Sequence, residues 1–250
     1  MSAINTETEI NTDIPVAVKK GIEYIRKGKL VLIYDAEDRE GETDFVMPAS
    51  SVTPEQVAHF RNVAGGLICV AIHPVAAERL GLPFMSDILR DVNNNFPALR
   101  RLVEGDGDLS YDKRSSFSLW VNHRDTFTGI TDRDRALTIK KIGEAVENAL
   151  ARNDRTYDFY TEFRTPGHVS ILRAAEGLLD ERRGQTELSV ALAVLAGIPT
   201  AMVICEMLDD ESGGALSRAD AETFASEHDA AFMDGEEIVR AFHSRFPDYR

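Results

Sequence analysis

An acidic segment directly after an apolar stretch is the most unusual chemical feature of this chain. Residues 35–44 read DAEDREGETD, in which Arg39 is the only base, and they follow the apolar residues 30–34, LVLIY. Crowded carboxylates repel one another unless a cation lies among them, and oxygen-rich sites suit Mg²⁺ or Mn²⁺. The segment therefore indicates either a divalent-cation site at the end of a buried strand or a solvated acidic turn. Its spacing is not that of an EF-hand loop.

Two titratable side chains elsewhere could transfer protons. His168 follows Pro166 and Gly167, which predicts a tight turn that displays a general acid/base or a metal ligand. Glu206 directly follows the apolar residues 201–205, so we expect a half-buried carboxylate with a raised pKa that could act as a base. The simpler alternatives are an exposed loop histidine and a strand-end glutamate paired with an arginine.

Two further segments open predicted helices and could bind an anion. Residues 182–187, RRGQTE, combine two arginines with a hydroxyl and the free N–H groups of a helix start, which together form a good phosphate receptor. Residues 126–132, TFTGITD, offer hydroxyls and amides for a sugar or phosphate. In both segments the alternative is an ordinary capped helix.

The elements that must position these residues alternate between helices and apolar strands, which favours the α/β class: a single compact domain whose mostly buried sheet is flanked by helices. Strands are predicted at 30–34, 67–72, 117–121, 169–172, 200–205 and 230–233, with 117–121 half-buried. Helices are predicted from 14 to Gly28, from Thr53, and at 73–81, 131–150, 186–197, 218–228 and 235–245. Residues 1–13 are expected to be a flexible acidic tail and 14–250 a single catalytic domain, in which 93–115 form a long polar loop.

Composition narrows the classes of partner. The chain has 250 residues, 28 lysines and arginines against 42 acids, a net charge of −14 and 43% apolar residues. This excludes a disordered chain and argues against nucleic acid or an anionic membrane as the main partner. Cys69 and Cys205 lie in apolar runs and are expected to be buried thiols, as in a reducing cytoplasm. We find neither a run long enough to span a membrane nor a signal-peptide pattern.

Taken together and in this order, these segments resemble the 3,4-dihydroxy-2-butanone 4-phosphate synthases of riboflavin biosynthesis, and most of all their archaeal single-domain form. The resemblance covers about residues 14–245 and rests on YDAEDREGETDFV, AGGLICVAIHP, GLPFM, TFTGITDRDRA, RTPGHVSILRAAEGLL, RRGQTELSVALAVLAG and VICEML. It implies a lyase that converts D-ribulose 5-phosphate into L-3,4-dihydroxybutan-2-one 4-phosphate and formate. It also implies a mixed sheet, a divalent cation (Mg²⁺ or Mn²⁺), and a cytoplasmic homodimer with sites near the subunit interface.

The resemblance also implies roles for individual residues. Catalysis would fall to His168 and Glu206, assisted by Asp44 and Glu42. Metal ligation would fall to Glu40 and Gln185. The substrate would contact Arg39, Glu40, Asp44, Thr128, Arg182, Arg183, Gly184, Gln185, Thr186 and Glu206. The substrate ketone must enolise, which requires a base and a positive charge beside the developing enediolate, and the residue types fit that requirement.

One position departs from the family pattern. Gln185 stands where the family usually has a metal-binding histidine. Because an amide oxygen is a neutral and hard donor, we expect the site to keep Mg²⁺ and lose affinity for softer metals. A harsher alternative is an impaired metal site. Two other functions stay open: a metal-dependent sugar-phosphate isomerase or aldolase, and a diverged protein that binds a sugar phosphate without converting it.

Overall fold

A seven-stranded sheet forms the centre of the structure, a computed structural model that describes residues 14–92, 96–105, 107–151 and 158–249. The strands are β1 Val31–Tyr34, β2 Thr43–Pro48, β3 Cys69–Ile72, β4 Phe117–His123, β5 Phe163–Arg173, β6 Ala201–Glu206 and β7 Ala231–Asp234. Their order is β4-β5-β3-β6-β2-β1-β7. The sheet is mixed, because β1 with β7 and β3 with β5 are parallel whereas the other neighbours are antiparallel.

Helices cover both faces of this sheet, so the predicted α/β class is confirmed. They are α1 Val16–Arg26, α2 Pro54–His59, α3 Pro74–Leu80, α4 Met85–Arg90, α5 Asp132–Ala151, α6 Phe159–Glu162, α7 Gln185–Ala196, α8 Arg218–Glu227 and α9 Gly235–Arg245. Helices α1, α7 and α9 bury residues such as Ile22 and Leu188 against one face. Helices α2, α3, α5 and α8 bury residues such as Ile139 against the other. Each face thus has its own apolar core.

Local signals set the helix boundaries where the sequence predicts them. Thr53 begins α2 with a capping box, in which its hydroxyl accepts from the Gln56 N–H and the Gln56 side chain accepts from the Thr53 N–H. Gly81 and Gly197 end α3 and α7 at φ of 68° and 66°, a left-handed conformation that glycine adopts without strain. Cys69 and Cys205 are free buried thiols, as expected.

Several local predictions are wrong. Residues 164–168 do not form a tight turn but belong to β5, where Thr165 Oγ1 donates to the Trp120 carbonyl at 2.7 Å. A Cβ at Gly167 would lie 2.0 Å from the Val121 carbonyl carbon, so this stretch runs hard against β4. Strand β4 does not have one solvated face, because its Ser118 is fully buried and donates to the Pro83 carbonyl.

Other elements were not predicted. Strand β2 was missed because Asp44 and Pro48 are disfavoured in strands. The short helices α4 and α6 also have no clear signal. Residues 93–115, where described, contain a single 3₁₀ turn at Leu99–Arg101, in line with the predicted loop. Residues 1–13, the predicted tail, lie outside the described residues. No helix in the described ranges is both long and apolar enough to cross a membrane.

Candidate functional site

Two carboxylates face each other across the antiparallel strands β2 and β6. The strand register places Asp44 directly opposite Glu206, where side chains lie about 5 Å apart at Cβ. Asp44 is 1% exposed, and both of its carboxylate oxygens are buried without a hydrogen-bond partner. Glu206 Oε2 accepts from the Leu67 N–H at 2.8 Å, so this glutamate is held by backbone and not by the arginine that we considered. The sheet therefore buries a like-charge pair.

The acidic segment adds two more carboxylates to this pair. Burial raises the pKa of Asp44 well above its usual range, and the neighbouring charges of Glu206 and Glu40 raise it further. Burial, with Glu40 and Glu206 beside it, raises the pKa of Glu42 to about 7. Burial also raises the pKa of Glu40, against the opposing charge of Arg182. The carboxylates of the acidic segment therefore do lie close enough to repel one another in the folded chain, and this repulsion was the basis for predicting a cation.

Gln185 presents an oxygen to the same place. This side chain is 4% exposed, and its Nε2 donates to the carbonyls of Ile33 at 3.0 Å and Glu42 at 3.1 Å. Because a carbonyl can only accept, the amide nitrogen must face these two groups, which fixes the orientation of the amide. Oε1 is left buried and without a hydrogen-bond partner.

Glu40, Asp44, Gln185 and Glu206 line one cavity of about 410 Å³, which we call the acid cavity, whereas Glu42 is not among its lining residues. Its lining comprises Glu40, Asp44, Cys69, Glu104, Leu109, Tyr111, Arg114, Ser115, Ser116, Phe117, Leu172, Arg182, Gln185, Thr186, Ile204 and Glu206. Tyr111 and Arg114 were not predicted as site residues, because they lie in the long polar loop. The arginine and serines just before β4 were the available signal, since such groups favour anions.

Arginines and acids form a second group beside the acid cavity, which we call the arginine clamp: Arg39, Asp112, Arg182 and Glu187. Asp112 Oδ2 accepts from Arg39 Nη2 at 3.0 Å and from Arg182 Nε. Arg182 Nη1 donates to Glu187 Oε2 at 2.7 Å. Arg39 and Arg183 line a neighbouring cavity of 420 Å³, whereas Arg182 lines both cavities.

His168 lies at the same end of the sheet as Glu206 but outside the lining of the acid cavity. Cys69 on β3 is paired with Ser170 on β5 and with Ile204 on β6, and His168 and Glu206 each lie two residues beyond. Roughly 10 Å of sheet therefore separates their backbones. The exposed His168 is oriented by Asn122, whose Oδ1 accepts from the His168 N–H at 2.8 Å while its Nδ2 lies 3.1 Å from Nδ1. Nδ1 also lies 3.4 Å from Asn122 Oδ1, so the contacts with Asn122 fit a proton on either ring nitrogen.

Thr128 lies just before α5, and its contacts help to cap the start of that helix. Its backbone N–H donates to the Asp134 carboxylate at 3.1 Å, and the Gly129 N–H donates to the same oxygen at 2.7 Å. Thr131 Oγ1 accepts from the Asp134 N–H at 3.2 Å, completing the cap. This is the capped helix start that the sequence left as the alternative for residues 126–132, and it leaves Thr128 exposed.

The donors in the acid cavity fit a hard cation. Among the described residues, no three His, Cys, Asp or Glu side chains form a ready-made metal site. The unpartnered oxygens of Asp44 and Gln185 are nevertheless buried next to the carboxylate of Glu40. Mg²⁺ commonly uses one or two protein carboxylates and completes its shell with water and substrate oxygens. The residues present therefore suit a cation that is shared with a ligand.

Comparison with known proteins shows the family of this chain. Residues 19–241 match the family model of 3,4-dihydroxy-2-butanone 4-phosphate synthase. The chain is 57% identical over 225 residues to the protein of that name from Methanosarcina acetivorans, covering 90% of each chain. It is 57% identical over 224 residues to that of Archaeoglobus fulgidus, covering 90% of this chain and 93% of the relative.

Solved structures give the same result. One is described as this synthase in complex with two magnesium ions; it is 29% identical, with a TM-score of 0.69 over 89% of this chain and 94% of that one. The Candida albicans synthase is 28% identical, with a TM-score of 0.69 over 90% of this chain and 97% of its own. The chain therefore belongs to the 3,4-dihydroxy-2-butanone 4-phosphate synthase family, the riboflavin-pathway lyases that convert ribulose 5-phosphate.

Proposed function

We propose that the acid cavity is where this chain converts D-ribulose 5-phosphate into L-3,4-dihydroxybutan-2-one 4-phosphate and formate. The observation that carries the assignment is the joint presence of the facing carboxylates Asp44 and Glu206 and the anchored oxygen of Gln185 in one cavity with Arg182. Proton-transferring and anion-binding groups thus line one small volume. Conversion of a sugar phosphate needs both kinds of group, one to move protons on the sugar and the other to bind the phosphate.

We assign proton transfer to Asp44 and Glu206, with Glu42 beside them and His168 as a further acid/base group. Burial and the neighbouring charge of Glu206 raise the pKa of Asp44, so this carboxyl of the pair can hold a proton and release it to a substrate atom. Such a pair suits a reaction that moves several protons at one place. Glu206 is anchored by the Leu67 N–H, so its other oxygen is available to the substrate.

We assign the phosphate to residues at the start of α7. Arg182 lines the cavity, and Thr186, which is 3% exposed, follows it there. Gly184 lets the chain pass under the guanidinium group, since a Cβ there would lie 2.7 Å from Arg182 Nη1. Holding the phosphate positions the sugar for chemistry at its other end. Substrate contacts of Arg39, Arg183 and Thr128 stay predictions.

We assign the divalent cation, Mg²⁺ or Mn²⁺, to Glu40 and Gln185. A bound divalent cation supplies positive charge beside the oxygens on which negative charge develops during enolisation. The amide of Gln185 can serve without moving, because its nitrogen is already satisfied by the Ile33 and Glu42 carbonyls. A structure relative with two magnesium ions supports this assignment.

We also propose a homodimer that covers the sheet end near His168. Phe127 is 93% exposed, Ile130 52% and Leu67 47%, and all three are large apolar side chains. Exposed apolar side chains of this size mark an interaction surface when they lie together.

We propose further that residues 14–250 form one catalytic domain. Because both cysteines are free thiols, we also propose a cytoplasmic location.

The test is formate release from D-ribulose 5-phosphate by the purified chain, with Mg²⁺, with Mn²⁺ and with EDTA. We expect metal-dependent formate, and a Glu206→Gln variant that folds normally but releases formate at least about 100-fold more slowly. An isomerase or aldolase would consume the substrate without formate. A chain that binds the substrate but does not convert it with either metal would contradict the proposed function.

A further inference from the structure

One carboxylate of the long loop holds the two clamp arginines together. Asp112 Oδ2 accepts from Arg39 Nη2 at 3.0 Å and from Arg182 Nε, and Asp112 Oδ1 accepts from the Lys113 N–H at 2.7 Å. The side chains of Asp112, Arg39 and Arg182 are only 8%, 14% and 12% exposed. Two guanidinium groups this close repel each other strongly when they are buried. The anion between them is therefore what keeps them side by side.

The same contact fixes Arg182 on a second edge. Its Nη1 donates to Glu187 Oε2 at 2.7 Å, and Glu187 Oε1 is itself held by the Ala175 N–H at 2.9 Å. A guanidinium group is planar and offers donors at Nε, Nη1 and Nη2. With Nε–H donated to Asp112 and one Nη1–H to Glu187, the described contacts leave both Nη2–H groups and the second Nη1–H to donate to a ligand in the acid cavity.

Asp112 also ties down a wall of that cavity. Tyr111 and Arg114, on either side of it along the chain, line the acid cavity, whereas Asp112 itself faces the neighbouring one. Loss of the Asp112 contacts would therefore free the orientation of Arg182 and the position of this wall at the same time.

We propose that Asp112 is a positioning residue, which holds Arg182 in the orientation that binds the substrate phosphate and ties residues 111–116 against the acid cavity. This rests on the proposed function, in which Arg182 binds that phosphate. The opposite possibility is that Asp112 occupies the phosphate position and competes with it. The two possibilities predict opposite effects of Asp112→Asn on phosphate affinity: a positioning role predicts weaker binding, and competition predicts tighter binding.

The experiment compares Asp112→Asn with Asp108→Asn in the full chain, using inorganic phosphate as the probe in calorimetric titrations. Both changes remove one negative charge from the same loop. Asp108 is exposed and, among the described residues, its side chain accepts from the Gly105 N–H alone, at 2.6 Å, a bond that an asparagine oxygen can keep. Lost charge alone would tighten phosphate binding slightly in both variants.

We expect Asp112→Asn to weaken phosphate binding about tenfold, which corresponds to the lower end of a lost charge-assisted hydrogen bond. KM for D-ribulose 5-phosphate should rise by a similar factor, with a smaller change in kcat. Asp112→Glu, which keeps the charge, should recover part of the affinity and serves as the test if Asp112→Asn does not fold. The unfolding midpoints of the folded variants are measured alongside.

Phosphate binding in Asp112→Asn that equals or exceeds that of Asp108→Asn overturns the proposal, and so does an Asp112→Glu variant as weak as Asp112→Asn. Formate release by the unchanged chain tests the proposed function separately. A chain that makes formate while Asp112→Asn binds phosphate normally refutes only the role of Asp112. A chain that makes no formate refutes the function, whatever the phosphate titrations show.

Discussion

The acid cavity and the arginine clamp are adjacent and each contains a fully buried carboxylate, yet their charges are balanced in opposite ways. In the cavity, the Asp44 carboxylate is buried without a partner and faces Glu206 across the sheet. In the clamp, the carboxylates of Asp112 and Glu187 are matched by the guanidinium groups of Arg39 and Arg182. The clamp is complete by itself, whereas the cavity becomes balanced only when a cation or a proton enters. Proton transfer and metal binding should therefore depend mainly on the cavity, and stability mainly on the clamp, whose Arg182 also lines the cavity.

The largest expected effect comes from a substitution that changes only the acid cavity. Glu206→Gln should lower kcat by about 10²–10⁴-fold, the range for loss of a general acid or base. The free energy of unfolding should stay the same or rise, because the change removes a like-charge neighbour of Asp44 while the amide oxygen can still accept from the Leu67 N–H. Formate assays and urea unfolding measure the two effects. A variant that loses activity only because it unfolds would contradict the comparison.

The next largest effect is expected from a substitution in the arginine clamp. Glu187 is fully buried and joins Arg182 to the Ala175 N–H. Glu187→Ala should lower the free energy of unfolding by about 3 kcal/mol, because it leaves a largely buried arginine without this partner. The control is Glu222→Ala, which breaks an ion pair with Arg218 whose side chains are 49% and 42% exposed; the expected loss there is under about 1 kcal/mol. Equal losses would show that the clamp is no stronger than a surface pair.

A histidine outside both regions separates the effect of burial from that of charge pairing. Burial lowers the pKa of His73 to about 4. Its Nδ1 accepts from the Val75 N–H at 3.2 Å, and its Nε2 lies 2.7 Å from the Tyr249 hydroxyl. Because the folded pKa is below the ordinary value of about 6.5, this histidine stabilises the fold fully above pH 6.5. That contribution is lost as the pH falls from 6.5 towards 4, since the unfolded chain takes up the proton first.

We expect His73 to account for about 3 kcal/mol of the loss in unfolding free energy between pH 7 and pH 4. Carboxylates titrate over the same range, so the measurement is a difference between the unchanged chain and His73→Asn, which can still cap α3. Urea unfolding at the two pH values should show a smaller loss in the variant. Parallel losses in the two proteins would remove His73 as the cause.

The acid cavity and the arginine clamp also differ in how well the sequence predicts them. The acid cavity was predictable, because Glu40, Asp44 and Glu206 are adjacent to apolar strands and a crowd of carboxylates is chemically unusual. Asp112 was not, because nothing local links it to Arg182, which is 70 residues away along the chain. Contacts between a loop and a distant helix start depend on the topology of the whole sheet.

The fold shows the same division. Predictions that rest on local chemistry, such as the glycine ends of α3 and α7 and the apolar strands β1, β3 and β6, are confirmed. The segment 164–168 was taken for a turn because proline and glycine favour turns locally, whereas it lies within β5. Arg164 pairs with Asn122 and Val169 with Val121, so residues 165–168 form a bulge that side-chain hydrogen bonds hold against β4.

The smallest expected effect sharpens the picture of the cavity as an oxygen-lined site. Gln185 offers only an amide oxygen, since its nitrogen is held by two backbone carbonyls. Gln185→His would place an imidazole nitrogen in this position, and nitrogen donors favour Zn²⁺ over Mn²⁺ more than oxygen donors do. We expect the affinity for Zn²⁺ relative to Mn²⁺ to rise by about tenfold, near 1.4 kcal/mol, in titrations of the purified chain without substrate. Gln185→Glu, which keeps an oxygen donor, is the control and should leave that ratio nearly unchanged. The same ratio in all three proteins would show that residue 185 does not contact the cation, and the ligands would then have to be sought among Asp44, Glu40 and Glu206 alone.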